Sequence, residues 1–230
     1  LLGSISVMIS NQKYLLFILF LSISYSQEVK WMAIGDLHNW YSAAGCEIEV
    51  GRTGQVSDQQ DGLRWPAFYR VQDNQAAKGL WLGAANFHDP VVNKDYAHKV
   101  VHAGPRHLDI ENETMPLDIS MVGRFDHPNV FVDGDPASNL QYLDAVDEVD
   151  PSLLSDRKLV NKVQTSLGVE MTRIIYAFSH PKHQNYHIQE YVFTNNGCFD
   201  KDCNTIYEQT LESFQVYLQY RYAISREGMV

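Results

Sequence analysis

Val169–Ser179 reads Val-Glu-Met-Thr-Arg-Ile-Ile-Tyr-Ala-Phe-Ser and decides the fold class. It is dense in β-branched and aromatic residues and partly alternates apolar with polar, the period of a strand with one buried face. Tyr186–Thr194 repeats the pattern and stops at Asn195-Asn196-Gly197, a turn signal. Phe214–Ser225 is a third such run, with Val216, Leu218, Tyr220 and Tyr222 on one face at period two. Three long β signals separated by polar turns predict an antiparallel sheet forming half of a sandwich. Its tyrosines would pack their rings and keep their hydroxyls wet.

Upstream, Asp144–Asp156 is acidic, and residues 134–155 read as an acidic loop or linker. A short helix is expected near Ser155–Thr165, with Ser155 as its N-cap. Shorter β-like runs lie at Trp31–Ile34, Gly79–Phe87, His98–His102, Ile119–Phe125 and Val130–Val132. One helical turn is expected over Asp73–Lys78 and an extended loop over Ala43–Gly62. The expected class is therefore mainly β: antiparallel, sandwich-like sheets with irregular loops and at most one or two short helices. An irregular β-rich region spans 27–133, the acidic linker 134–155, and an incomplete sandwich portion 156–230. The Leu1 start and the end at Val230, just after a long strand, predict a fragment truncated at its C-terminus.

Residues 1–26 read as upstream residues followed by a signal peptide. Met8 is followed by Lys13, an apolar run from Tyr14 to Leu21, and the small-x-small ending Ser24-Tyr25-Ser26. The 12 residues from Tyr14 to Tyr25 reach roughly 18 Å as a helix, against a bilayer core of about 30 Å. A cleaved signal is thus expected rather than an anchor, and the rest would be extracytoplasmic, secreted or on the cell surface, with no transmembrane segment. From Gln27 onward, 17 basic residues face 28 acidic ones, a net of −11. Such a balance argues against a nucleic-acid partner, which needs a basic face. Cys198 and Cys203 bracket a short polar loop and would form a local disulfide in an oxidising compartment, while Cys46 is left over as a buried thiol.

Several phrases carry a resemblance: Leu37-His38-Asn39-Trp40-Tyr41, Gly62-Leu63-Arg64-Trp65-Pro66, Gln75 to Trp81, Phe131-Val132-Asp133-Gly134, Asp147 to Pro151 and Tyr220-Arg221-Tyr222-Ala223. Together they resemble the N-terminal region of large exported proteins of marine Gram-negative bacteria that commonly end in a type IX secretion sorting domain. Glu190–Gly197 resembles the strand ends of exported β-sandwich modules. The resemblance implies secretion or surface location, and no catalytic residues.

Trp40, Tyr41, Trp65, Tyr69 and Trp81 fall among Asn, Asp and Gln, a composition suited to stacking on sugars as well as to core packing. Two candidate calcium groups are Asp133, Asp135, Asp147 and Asp150, and the Asp200-Lys-Asp202 start of a loop. That loop lacks the glycine and the final glutamate of a calcium hand: Thr205 and Leu211 stand there. His98 and His102 have the spacing of a zinc pair, but Lys99 replaces the required glutamate and the neighbours favour a strand. His180, His183 and His187 are read as a polar turn. Neither a Gly-x-Ser-x-Gly nor a Gly-rich phosphate loop occurs. The function expected is a non-enzymatic structural or adhesive module of a larger exported protein, with surface glycans or other surface proteins as partners. The alternative is a secreted glycan-binding protein or glycan-active hydrolase using segment 37–81.

Overall fold

The computed structural model describes residues 29–47, 63–68, 74–103, 113–127, 131–136 and 144–222. The signal-peptide reading, Tyr69, Asp73 and most of the 43–62 loop lie outside the described residues. Twelve strands and no helix occur among the described residues: β1 (Val29–Met32), β2 (Asn39–Ser42), β3 (Gln75–Asp89), β4 (Lys94–Ala103), β5 (Thr114–Gly123), β6 (Phe131–Val132), β7 (Asp135–Pro136), β8 (Glu148–Val149), β9 (Arg157–Thr165), β10 (Val169–Ala177), β11 (Ile188–Asn195) and β12 (Glu212–Tyr222). The protein is mainly β, as its period-two runs predict.

A five-stranded sheet runs in the order β11-β10-β9-β5-β8, with only the short β5–β8 pair parallel. A three-stranded antiparallel sheet, β12-β3-β4, packs against it. Leu80, Leu82, Ala84, Phe87 and Val101 of the smaller sheet meet Val163, Leu167, Val169 and Met171 of the larger, forming one core of the sandwich. The β1–β2 hairpin covers the rest of the same inner face: Met32, Tyr41 and Ala43 sit on Met121, Leu159, Ile175 and Ala177. Each large apolar side chain fully buried this way contributes roughly 1.5–3 kcal/mol.

The expected helix at Ser155–Thr165 is strand β9, and the helical turn expected up to Lys78 is the start of β3. In β9, Arg157, Leu159, Asn161, Val163 and Thr165 all point inward and are buried. The alternation is that of an inner strand, but three of the five inward residues are polar, so an apolar-pattern reading misses it. Asn161 and Arg173 form a polar seam between the two cores: Arg173 Nη2 donates to Asn161 Oδ1 and to the Ser42 carbonyl, both at 3.0 Å. The third long run also departs from expectation. β12 does not extend the sheet of β10 and β11 but pairs with β3 in the opposite one. The 196–211 connection carries the chain across, held by the Cys198–Cys203 disulfide, with Phe199 buried against Phe87.

The acidic stretch is tied to the sheet in its described part. Asp147 accepts from the Met121 N–H at 2.6 Å and from Lys30 Nζ at 2.8 Å. Strands from both sides of it build both sheets, because β5 pairs with β9 and β3 with β12. No helix among the described residues is long and apolar enough to cross a membrane.

Candidate functional site

The even-numbered residues of β3 from Lys78 to Ala84 turn inward, so Gly79, Trp81, Gly83 and Ala85 turn outward. The register sets them between two flanking rows: His102, Val100 and His98 on β4, and Gln219, Tyr217 and Gln215 on β12. Trp81 is 44% exposed and Tyr217 is 56% exposed.

Trp81 lies back along its own strand. A Cβ added at Gly79 would stand 3.2 Å from the indole Nε1, so any larger residue there would make the ring give by a few tenths of an ångström. His102 and Tyr217 approach the indole from the two neighbouring strands, each edge-on at 6.1 Å between centroids. Edge contacts on both flanks hold the ring, which stays 44% exposed. His102 is fixed in turn by Glu113, which lies 2.7 Å from Nδ1 and accepts from the His102 N–H at 3.0 Å.

Beyond Trp81 the face sinks into an open trough of about 350 Å³, floored at Gly83 and Ala85 and walled by His98, Val100, Ser213 and Gln215. The trough exists because Gly83 has no side chain and because β12 bulges between Glu212 and Gln215, where Ser213 takes a φ of 49°. An aromatic platform on the same sheet face as a trough bearing amide, imidazole and hydroxyl groups can stack on one face of a flat ligand and hydrogen-bond its rim.

A second polar cluster is buried between the hairpin and the sandwich. Glu47 accepts from Asn39 Nδ2 and Gln189 Nε2, both at 2.7 Å, and pairs with Lys78. Tyr41 Oη lies 2.8 Å from His187 Nδ1, and His187 Nε2 lies 3.0 Å from the Leu37 carbonyl. Burial pushes the Glu47 carboxyl up, but Lys78 and Gln189 more than reverse this and hold it below the usual range. Burial also holds the His187 imidazole down to about 4 and pushes the Tyr41 hydroxyl and the Cys46 thiol up. These contacts join the hairpin to the sheets.

The four aromatic candidates among the described residues separate. Trp40 and Tyr41 are interior, 3% and 1% exposed, so neither ring offers a face to a ligand. Trp65 is on the surface and donates to Asn185 on the β10–β11 loop. Only Trp81 belongs to the open sheet face. Tyr217, Gln215, His98 and His102 join it through register; the sequence signals are the odd-numbered polar row of β12 and, for the two histidines, their four-residue spacing on a strand-like run.

The acidic candidates do not converge. Asp133 and Asp135 flank Gly134 in the β6–β7 turn, Asp147 binds Lys30 and Met121, and Asp150 accepts from Ser152. Asp200 accepts the backbone N–H groups of Asp202, Asn204 and Thr205. Among the described residues no group of three or more His, Cys, Asp or Glu could hold a metal ion. His98 and His102 lie on a strand, and His187 is buried away from the contacting His180–His183 pair.

Fold and site together define a β-sandwich with one aromatic sheet face open to solvent. Comparison with protein-family models, curated proteins and solved structures finds no match in any of the three.

Proposed function

We propose that this chain is a non-enzymatic, exported adhesive module that holds carbohydrate on the outer face of β12-β3-β4. The observation that carries this reading is Trp81, exposed and clamped edge-on by His102 and Tyr217 beside an open trough. Sugar rings present C–H faces and a rim of hydroxyls, and an exposed indole next to Gln, Ser and His side chains suits both parts. Export is supported by the charged, apolar and small-x-small order of residues 8–26 and by the resemblance to exported surface proteins. The Cys198–Cys203 disulfide is compatible with an oxidising compartment. Of segment 37–81, the face uses its C-terminal end.

A glycan array probed with the purified protein tests the proposal. Binding that disappears in Trp81→Ala and survives in Trp65→Ala, with both variants melting like the parent, is the expected result. Binding that survives Trp81→Ala would remove the site, and no binding to any glycan would remove the function.

A further inference from the structure

We infer that the ligand of this face is an uncharged oligosaccharide laid lengthwise along β3, from the Trp81 platform through the trough at Gly83 to His98. This rests on the carbohydrate reading above and specifies its ligand. Three features carry it: length, charge and the openness of the floor.

From Gly79, under the indole, to Ala85 is six residues along one strand, about 20 Å at roughly 3.3 Å per residue. That is longer than a single sugar ring. A monosaccharide on Trp81 would leave the trough empty, whereas a chain fills both. Ser213 and Gln215 then flank it on one side and His98 on the other.

The charge pattern excludes acidic chains. No lysine or arginine head group stands in the outward rows of β3 or β4 from Trp81 to Ala85 or in their β12 partners, where the charged residue is an acid, Glu212 opposite Ala85. Lys99 also lines the trough, but its head group is turned away to Asp89, with Nζ 3.2 Å from the carboxylate. His102, the imidazole beside Trp81, is already engaged by Glu113. The whole chain carries a net −10. A uronate or sulfated chain would meet a repulsive field and no fixed cation to offset it. A neutral chain loses nothing by this and finds amide and hydroxyl partners.

The floor can be filled without disturbing the fold. A Cβ built at Gly83 meets Val100 Cγ2 at 3.5 Å and the Lys99 carbonyl at 3.6 Å, ordinary contact distances. Gly83→Val therefore blocks the trough and leaves the Trp81 platform intact.

Titration calorimetry of the full chain with neutral glucose-, mannose- and xylose-based sugars, from single rings to hexamers, tests the inference against matched uronate and sulfated oligomers. The expected result is affinity that rises with length by roughly ten-fold or more, with little response to added salt. Gly83→Val should abolish the gain with length at an unchanged melting temperature, and Trp81→Ala should abolish binding. Tighter binding of an acidic oligomer, weakened by salt, would overturn the inference and leave the carbohydrate reading standing. So would a length gain that survives Gly83→Val. Absence of binding to every sugar tested would overturn both.

Discussion

Glu47, in the turn after β2, and Lys78, near the start of β3, form an ion pair whose side chains are only 3% and 4% exposed. Their closeness joins the hairpin to the three-stranded sheet, and Gln189 on β11 joins both to the five-stranded sheet. Removing one partner strands the other charge in the interior, which costs about 3–5 kcal/mol. Glu47→Ala and Lys78→Ala should each lose that much in urea denaturation, while the double change to methionine should lose less than the two single changes added. Single changes costing under about 1 kcal/mol would show that the pair is not buried in solution.

His187 makes the hairpin contact sensitive to acid. Its folded-state value of about 4 lies below the ordinary 6.5, so the unfolded chain takes up the proton first as pH falls. The stability it protects is complete above 6.5 and is lost between there and 4, on the order of 3 kcal/mol in all. The depressed Glu47 acts at lower pH, contributing stability above its usual value of 4.5 that is lost as pH falls through its folded value. Denaturation curves across this range should fall less steeply in His187→Gln than in the parent. Equal slopes would mean that His187 titrates as an exposed imidazole.

The thiols give a simple count. Cys198 and Cys203 are bonded, and Cys46 is free and buried. The native protein should not react with an alkylating reagent, and the denatured, unreduced chain should take one equivalent, at Cys46. Replacing both bonded cysteines with serine should cost about 2 kcal/mol, the chain-entropy value for so short a loop. Peptide mapping that finds Cys198 free would contradict this.

The loop that these cysteines close should hold its shape without calcium. Three backbone N–H groups occupy the Asp200 carboxylate and lower its pKa. EDTA should leave the melting temperature where it was. A fall of several degrees would mean that a cation is part of the fold.

How much of this the sequence shows depends on the range of the interaction that settles it. β10 is legible because its inward residues alternate along nine consecutive positions. β9 is not, because Arg157, Asn161 and Thr165 face inward although they are polar, which disguises the period. The sheet to which β12 belongs is decided by pairing with β3, more than a hundred residues away. Among the tryptophans, residue type alone cannot separate Trp40, buried within the hairpin against Trp31, from Trp81, on the open face. The neighbours that make Trp81 a platform, His102 and Tyr217, come together only through strand register. The candidate site was therefore legible as one residue of its aromatic platform, and the trough beyond it was not.

The most direct test of the account is the indole N–H region of the ¹H–¹⁵N spectrum. The chain has four tryptophans, so there are four signals to follow. As a bound oligosaccharide is titrated in, the Trp81 signal should move while those of Trp31, Trp40 and Trp65 stay in place. A shift at Trp65 with Trp81 unmoved would place binding at the β10–β11 loop and contradict the claim that the outer face of β12-β3-β4 holds the ligand.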